Sequence, residues 1–263
     1  MKNHVYQAKT PDSRGFVLYT AEENAVWKTL YDRQIKIIEH RACEEFIEGV
    51  HKLELTADAI PQLPDVSKRL KAQTGWSVAP VKALISFKEF FELLSKRQFP
   101  AATFIRIPEH LDYLKEPDIF HEIFGHCPLL TNKAFADFTK KVGDLGLSMT
   151  KEERVLLARL YWFTVEFGLI NTKEGVRIYG GGILSSKGES IYSLESDIPE
   201  RQAFDLMTVL RTAYRYDEMQ KNYFIIDSFE SLFNLVSADL RAVFKEAKER
   251  GVIVPEDVDV RSC

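Results

Sequence analysis

Imidazole and carboxylate side chains that converge can hold a transition-metal ion, and three residues of this chain have the types to do so. His121 and His126 fall in Pro117-Asp118-Ile119-Phe120-His121-Glu122-Ile123-Phe124-Gly125-His126-Cys127-Pro128. Glu166 is the only carboxylate in residues 156–170, and its helical neighbours Trp162, Phe163, Leu169 and Ile170 are apolar. A carboxylate buried without a partner is costly, and a dication offsets that cost. Two histidines and one carboxylate leave coordination positions open, which is the ligand set of non-haem Fe(II) oxygenases. Plainer readings compete: two histidines solvated or packed in the core, and Glu166 paired with Arg159 across about 10 Å of helix axis. Cys127 adjoins His126, but a soft thiolate would favour zinc, so it is discounted as a ligand.

The spacing separates this site from a zinc peptidase. In His-Glu-x-x-His the histidines are four apart and share one helical face, with the glutamate as base. Here they are five apart, and at about 100° per residue their side chains point roughly 140° from each other on a regular α-helix. They can share an ion only if the backbone departs from that helix, through a π-bulge or a helix beginning between them. Gly125 makes such a departure cheap, and Pro128 ends or redirects the segment. The stretch from His121 to His126 is therefore predicted not to be regular α-helix throughout.

These side chains need elements to hold them. Thr20 to Glu23, Ser86 to Glu89 and Thr150 to Glu153 have the spacing of capping boxes. Helical periodicity follows over 26–53 and 87–96 and from 151 to Ile170, and a last long helix is expected over 228–250 with Gly251 as its stop. Strand signals are few and short, at 102–107, 176–179 and 223–226. Glycine clusters once, at Gly180, Gly181 and Gly182. With no repeat or Pro/Ser linker, the reading is a loose polar arm over 1–20 and one domain over 21–263, mainly α with a small sheet (α+β).

Composition narrows the function classes. The 263 residues are 45% hydrophobic and 28% charged, an ordinary globular balance with room for a sizeable core. A net charge of −4 without a Lys/Arg stripe argues against nucleic acid. No apolar run is long enough to span a membrane, and the start has no apolar signal core. Cys43, Cys127 and Cys263 are odd in number and not at metal-ligand spacing, so they read as reduced thiols of a cytoplasmic protein.

Three blocks resemble the pterin-dependent aromatic amino acid hydroxylases: Pro117 to Pro128, Tyr161-Trp162-Phe163-Thr164-Val165-Glu166-Phe167-Gly168, and Tyr179-Gly180-Gly181-Gly182-Ile183-Leu184-Ser185-Ser186-Lys187-Gly188-Glu189. The resemblance extends from about residue 20 to about residue 235. It implies a mainly helical catalytic domain, a basket of helices around iron with a small antiparallel sheet. It also implies Fe(II) on His121, His126 and Glu166. Arg106 falls on the arginine that grips the amino acid carboxylate, Asp118 on the acid that holds it, Ser185 on a hydroxyl near the same carboxylate, and Trp162 on a wall of the pocket. Phe90 falls on the aromatic that stacks on the pterin, with Ile85, Glu122, Ala158 and Tyr161 around it. A planar guanidinium suits a carboxylate, and an aromatic face suits a flat heterocycle.

The implied reaction consumes L-phenylalanine, O₂ and tetrahydrobiopterin or a related tetrahydropterin, and gives L-tyrosine and a 4a-hydroxytetrahydropterin. The layout lacks the regulatory domain and coiled-coil tail of animal members and resembles the short bacterial phenylalanine hydroxylases, as a monomer or dimer linked to pterin-recycling enzymes. Phe87 and Leu114 stand where animal members of the family carry small hydroxyl residues. Tyrosine and tryptophan hydroxylases share the three blocks and are the alternatives; a zinc peptidase and a non-catalytic pterin- or iron-binding protein stand further off.

Overall fold

The structure, a computed structural model, describes residues 6–82, 85–237 and 240–254. Thr20 and Glu23 close a reciprocal capping box that starts the helix Ala21–Ile38, and Thr150 with Glu153 does the same for Lys151–Tyr161. Ser86 accepts from the Glu89 N–H and starts Phe87–Ser95. The interior is a single apolar cluster in which Trp27, Trp76, Phe46, Phe120, Phe124 and Tyr179 are wholly buried. Each such side chain contributes roughly 1.5–3 kcal/mol of burial. No described helix is long and apolar enough to cross a membrane.

Three expected helices are interrupted. The periodicity over 26–53 belongs to two helices, Ala21–Ile38 and Glu44–Lys52. Between them His40 takes a left-handed φ of 59°, and the link pairs with a strand, Cys43 N–H to Ile178 O at 2.9 Å and Ile178 N–H to Arg41 O at 2.8 Å. Apolar phase survives the turn, so spacing alone did not reveal it. The segment running to Ile170 leaves the α-helix after Tyr161, and Ile170 itself lies in a strand. The last helix is likewise two, Phe229–Ser237 and Arg241–Arg250, with residues 238–239 outside those described; Gly251 follows at φ 74°.

The strands are β1 (Ser77–Val81), β2 (Gln98–Ala102), β3 (Leu169–Thr172), β4 (Gly175–Ile178), β5 (Glu200–Ala203) and β6 (Asn222–Ile226). β1 and β2 run parallel, joined through the helix Phe87–Ser95, which this short βαβ unit holds in place. The second sheet has the order β4-β3-β6-β5, and only β3–β4 is antiparallel. The expected antiparallel sheet is thus mixed, because helices rather than hairpins connect most of its strands. The strand expected at 102–107 lies earlier, at β2; beyond Ala102 the backbone groups find other partners. Phe104 O accepts the Ile119 N–H at 2.9 Å, and the Arg106 N–H goes to Asp118 Oδ2 at 3.0 Å.

Residues 6–20 form no helix or strand, but they are not loose. Val17 is buried and pairs with Gln62 in both directions, and Thr103 Oγ1 donates to Lys9 O at 2.7 Å.

Candidate metal centre

Both stretches that carry candidate ligands are π-helical, Phe120–His126 and Trp162–Glu166. A π-helix bonds each N–H to the carbonyl five residues back, so side chains five apart share a face. The spacing that excluded a regular α-helix is resolved in this way. In the second stretch Phe167 N–H reaches Trp162 O at 2.9 Å, and Thr164 Oγ1 caps Leu160 O at 2.6 Å, a carbonyl next to the change of helix type.

His121 Nε2 and His126 Nε2 lie 3.1 Å apart, and Glu166 Oε2 lies 3.2 Å from His126 Nε2 and 3.7 Å from His121 Nε2. Donors about 2.2 Å from one ion and at right angles sit about 3.1 Å from each other. Two of the three separations match one face of an octahedron, and the third, 3.7 Å, is wider. Among the described residues, His121, His126 and Glu166 are the one group of three that could hold an ion.

Hydrogen bonding fixes the tautomer. Ser185 Oγ donates to Gly181 O at 2.8 Å, so it accepts from His121 Nδ1 at 2.9 Å, and the Nε2 lone pair is free for an ion. Ser185, expected near the substrate carboxylate, is placed to orient His121. Burial first, and then His126, bring the His121 pKa down to about 4, so the ring is neutral at pH 7. Burial pushes Glu166 up, but His126 and His121 outweigh it and keep the carboxyl below its usual range, hence ionised. Both protonation states are those a cation requires. Burial, reinforced by Glu166 and Asp118, pushes Glu122 well above the usual carboxylate range.

The glycine cluster supplies close approach. A Cβ on Gly181 would overlap the His126 ring, one on Gly180 would overlap Glu166 O, and one on Gly182 would lie 3.1 Å from Glu166 Oε2. Gly125 serves by contact and not by conformational freedom: its Cβ would stand 2.7 Å from Gly181 O.

Arg106 and Asp118 form a buried bidentate pair, Nε to Oδ2 at 2.8 Å and Nη2 to Oδ1 at 2.9 Å. Asp118 Oδ1 also accepts the His121 N–H at 3.1 Å, tying the pair to the π-helix Phe120–His126. Burial pushes Asp118 up, yet Arg106 holds its carboxyl below the usual range.

A cavity of about 290 Å³ opens beside the triad. It gathers every residue expected around a pterin, Phe90, Ile85, Glu122, Ala158 and Tyr161, together with Trp162, His121 and Glu166. Its aromatic walls and Pro100 and Pro117 suit a flat heterocycle, so the residues present fit the cofactor that the family motifs imply. Arg106, Asp118 and Ser185 lie outside its lining; they reach the triad through His121.

Sequence reasoning missed Tyr214 and Gln220. Tyr214 stacks on Trp162 at 4.2 Å and 14°, and Gln220 Oε1 accepts the Trp162 indole N–H at 2.9 Å. Both sit in a polar loop without periodicity, which carries no signal for a pocket wall. The Gln220 N–H donates to buried Glu189 at 3.0 Å, and Tyr223 O–H donates to the same oxygen. Burial outweighs these two donors and raises the Glu189 pKa. A carboxyl whose folded pKa is raised destabilises the fold as pH climbs from its unfolded to its folded value. Glu189→Gln keeps both acceptor contacts, so its melting temperature is expected to gain on wild type between pH 4 and pH 8. A gap that shrinks with pH would contradict this.

The family model for biopterin-dependent aromatic amino acid hydroxylases matches residues 2–247. The phenylalanine-4-hydroxylase of Pseudomonas aeruginosa is 55% identical, over 97% of this chain and 97% of its own. The apo structure of the cold-active phenylalanine hydroxylase from Colwellia psychrerythraea superposes with a TM-score of 0.93 at 51% identity, over 95% of this chain and 97% of its own. The Chromobacterium violaceum phenylalanine hydroxylase with bound iron(III) and 7,8-dihydrobiopterin gives a TM-score of 0.87 at 46% identity, over 95% and 93%. This chain belongs to the biopterin-dependent aromatic amino acid hydroxylases.

Proposed function

We propose that the chain hydroxylates L-phenylalanine at ring carbon 4 to L-tyrosine, in phenylalanine catabolism, with residues 21–263 as its catalytic unit. His121, His126 and Glu166 hold Fe(II), and the cavity bounded by Phe90 and Tyr161 takes the tetrahydropterin. Bound iron and tetrahydropterin together supply the activation of O₂ and the transfer of one oxygen atom to the ring. The protein binds and orients. Asp118 takes Nε and Nη2 of Arg106, which leaves Nη1 and the second Nη2 hydrogen for the amino acid carboxylate. Trp162, braced by Tyr214 and Gln220, walls the aromatic ring. Ser185 fixes the His121 tautomer. Burial raises the pKa of Glu122, which lines the pterin cavity and can hydrogen-bond the cofactor there. Recycling enzymes regenerate the oxidised pterin, and the buried free thiols of Cys43 and Cys127 favour the reducing cytoplasm.

The observation that carries this reading is a facial His-His-Glu set opening on the cavity that the aromatic residues line. Product analysis with phenylalanine, tyrosine and tryptophan under Fe(II), tetrahydropterin and air tests it. Tyrosine formed from phenylalanine is the dominant product expected; faster turnover of tyrosine or tryptophan would assign another member of the family.

Arg106→Lys removes the fork. Hydrogen bonds to a charged group are worth enough to raise the KM for phenylalanine roughly ten- to a hundred-fold. The melting temperature should fall, because buried Asp118 loses a bidentate partner. Iron stoichiometry should hold. Loss of iron with KM unchanged would remove Arg106 from the substrate site.

A further inference from the structure

The backbone that carries Arg106 lacks a neighbouring strand beyond Ala102, and the N-terminal arm takes that place. The Tyr6 hydroxyl accepts the Ile107 N–H at 3.2 Å and lies 2.6 Å from His110 Nδ1. Its ring stacks on Phe104 at 4.7 Å and 19°, and meets His110 edge-on at 5.9 Å. One side chain thus grips residues on both sides of Arg106. The arm is anchored in turn: Thr103 donates to Lys9 O at 2.7 Å, and Lys9 Nζ bonds Glu23 at 2.5 Å, within the first turn of Ala21–Ile38.

Ile105 packs into the apolar core and Phe104 is buried, but packing does not fill all of this segment's surroundings. A cavity of about 230 Å³ lies along this segment, lined by Tyr6, Lys9, Val26, Phe104, Arg106 and Pro108 among others. The backbone groups flanking Arg106 are bonded by Tyr6 at one edge and by Ile119 and Asp118 at the other. Asp118 fixes the guanidinium plane, but where that plane stands depends on the backbone at 104–107. A bidentate clamp tolerates displacement of only about 0.5 Å before its geometry fails.

We infer that Tyr6 is a positioning residue for amino acid binding: the arm latches residues 104–110 and so sets where the Arg106 guanidinium meets the substrate carboxylate. This rests on the reading of Arg106 given above. Tyr6 touches neither the triad nor the pterin cavity, so its effect should be confined to the amino acid.

Tyr6→Phe keeps the ring on Phe104 and removes the hydroxyl's contacts with Ile107 and His110. In the iron-loaded protein it is expected to raise the KM for phenylalanine roughly three- to ten-fold, the worth of one or two hydrogen bonds. Turnover number, pterin KM and iron content should stay within about two-fold, since none of those sites is touched. In an Arg106→Lys background the Tyr6→Phe effect should shrink below about two-fold, because residues acting through one contact are not additive. An unchanged phenylalanine KM, an equal rise in pterin KM, or a full effect in the lysine background would each overturn the latch. If Arg106→Lys raises the phenylalanine KM while Tyr6→Phe does not, the latch alone fails. If Arg106→Lys itself leaves that KM unchanged, the reading of Arg106 fails and the latch with it.

Discussion

Glu166→Gln is expected to weaken Fe(II) binding by on the order of 100-fold or more, since losing even an outer-sphere partner of a ligand costs 10–100-fold. Activity should fall with it. The amide keeps size and shape but gives up the charge that a hard cation seeks. Thermal unfolding reads this directly. At a hundred-fold excess of Fe(II) over its Kd, binding stabilises by about 2.7 kcal/mol, which is roughly 5–10 °C in a chain of this size. The variant at the same iron concentration should gain about 0.4 kcal/mol, roughly 1 °C. The metal-free proteins should melt close together. Sequence alone suggests that Glu166 has no partner except an ion, yet the structure pairs it with His126 at 3.2 Å and His121 at 3.7 Å, and its pKa is lowered even so. In metal-free wild type the contact with His126 offsets part of the cost of that buried charge. If wild type gains no stability from iron, or the variant gains as much, Glu166 is not a ligand.

The site was more legible than the fold around it, for a physical reason. Ligand spacing is a local property: a separation of five positions from His121 to His126 forbids a shared ion on an α-helix, and the π-helix Phe120–His126 answers that constraint directly. The second π-helix, Trp162–Glu166, left no such mark, because Glu166 has no partner nearby in sequence to impose a spacing. Apolar period likewise cannot see tertiary pairing. The break at His40 depends on Ile178, and the end of the α-helix at Tyr161 depends on Leu169 and Ile170 joining β6. Arg106 and Asp118 were named through family motifs; nothing in their own spacing of twelve residues predicts a buried bidentate pair. Tyr6 and Gln220 reach the site's surroundings from an arm and a loop, where only the folded chain places them.

Gly181→Ala is expected to damage the metal centre as severely as loss of a ligand, although it touches no ligating atom. Gly181 opens the short helical turn Gly181–Leu184, so alanine suits its backbone and should favour the helix by up to about 1 kcal/mol. Any loss must then come from contact. The new methyl would overlap Nδ1 and Cε1 of His126 and stand 2.8 Å from its Cγ. The ring has no room to retreat: His126 is 3% exposed and backed by Phe99 at 5.1 Å. Either His126 swings its Nε2 out of line with His121 and Glu166, or the turn carrying Ser185 moves and releases His121 Nδ1. Both routes break the facial set. Overpacking of this kind costs about 1–3 kcal/mol, so the metal-free variant should melt several degrees low, and Fe(II) should no longer stabilise it. Gly188→Ala is the control, because there the methyl would meet only Met219 Cε at 2.8 Å, the free end of a flexible side chain, inside the helix Lys187–Glu195. It should leave iron binding intact and the melting temperature unchanged or raised. Wild-type iron affinity in Gly181→Ala would mean that His126 can yield, and that the glycine cluster does not set the geometry of the site.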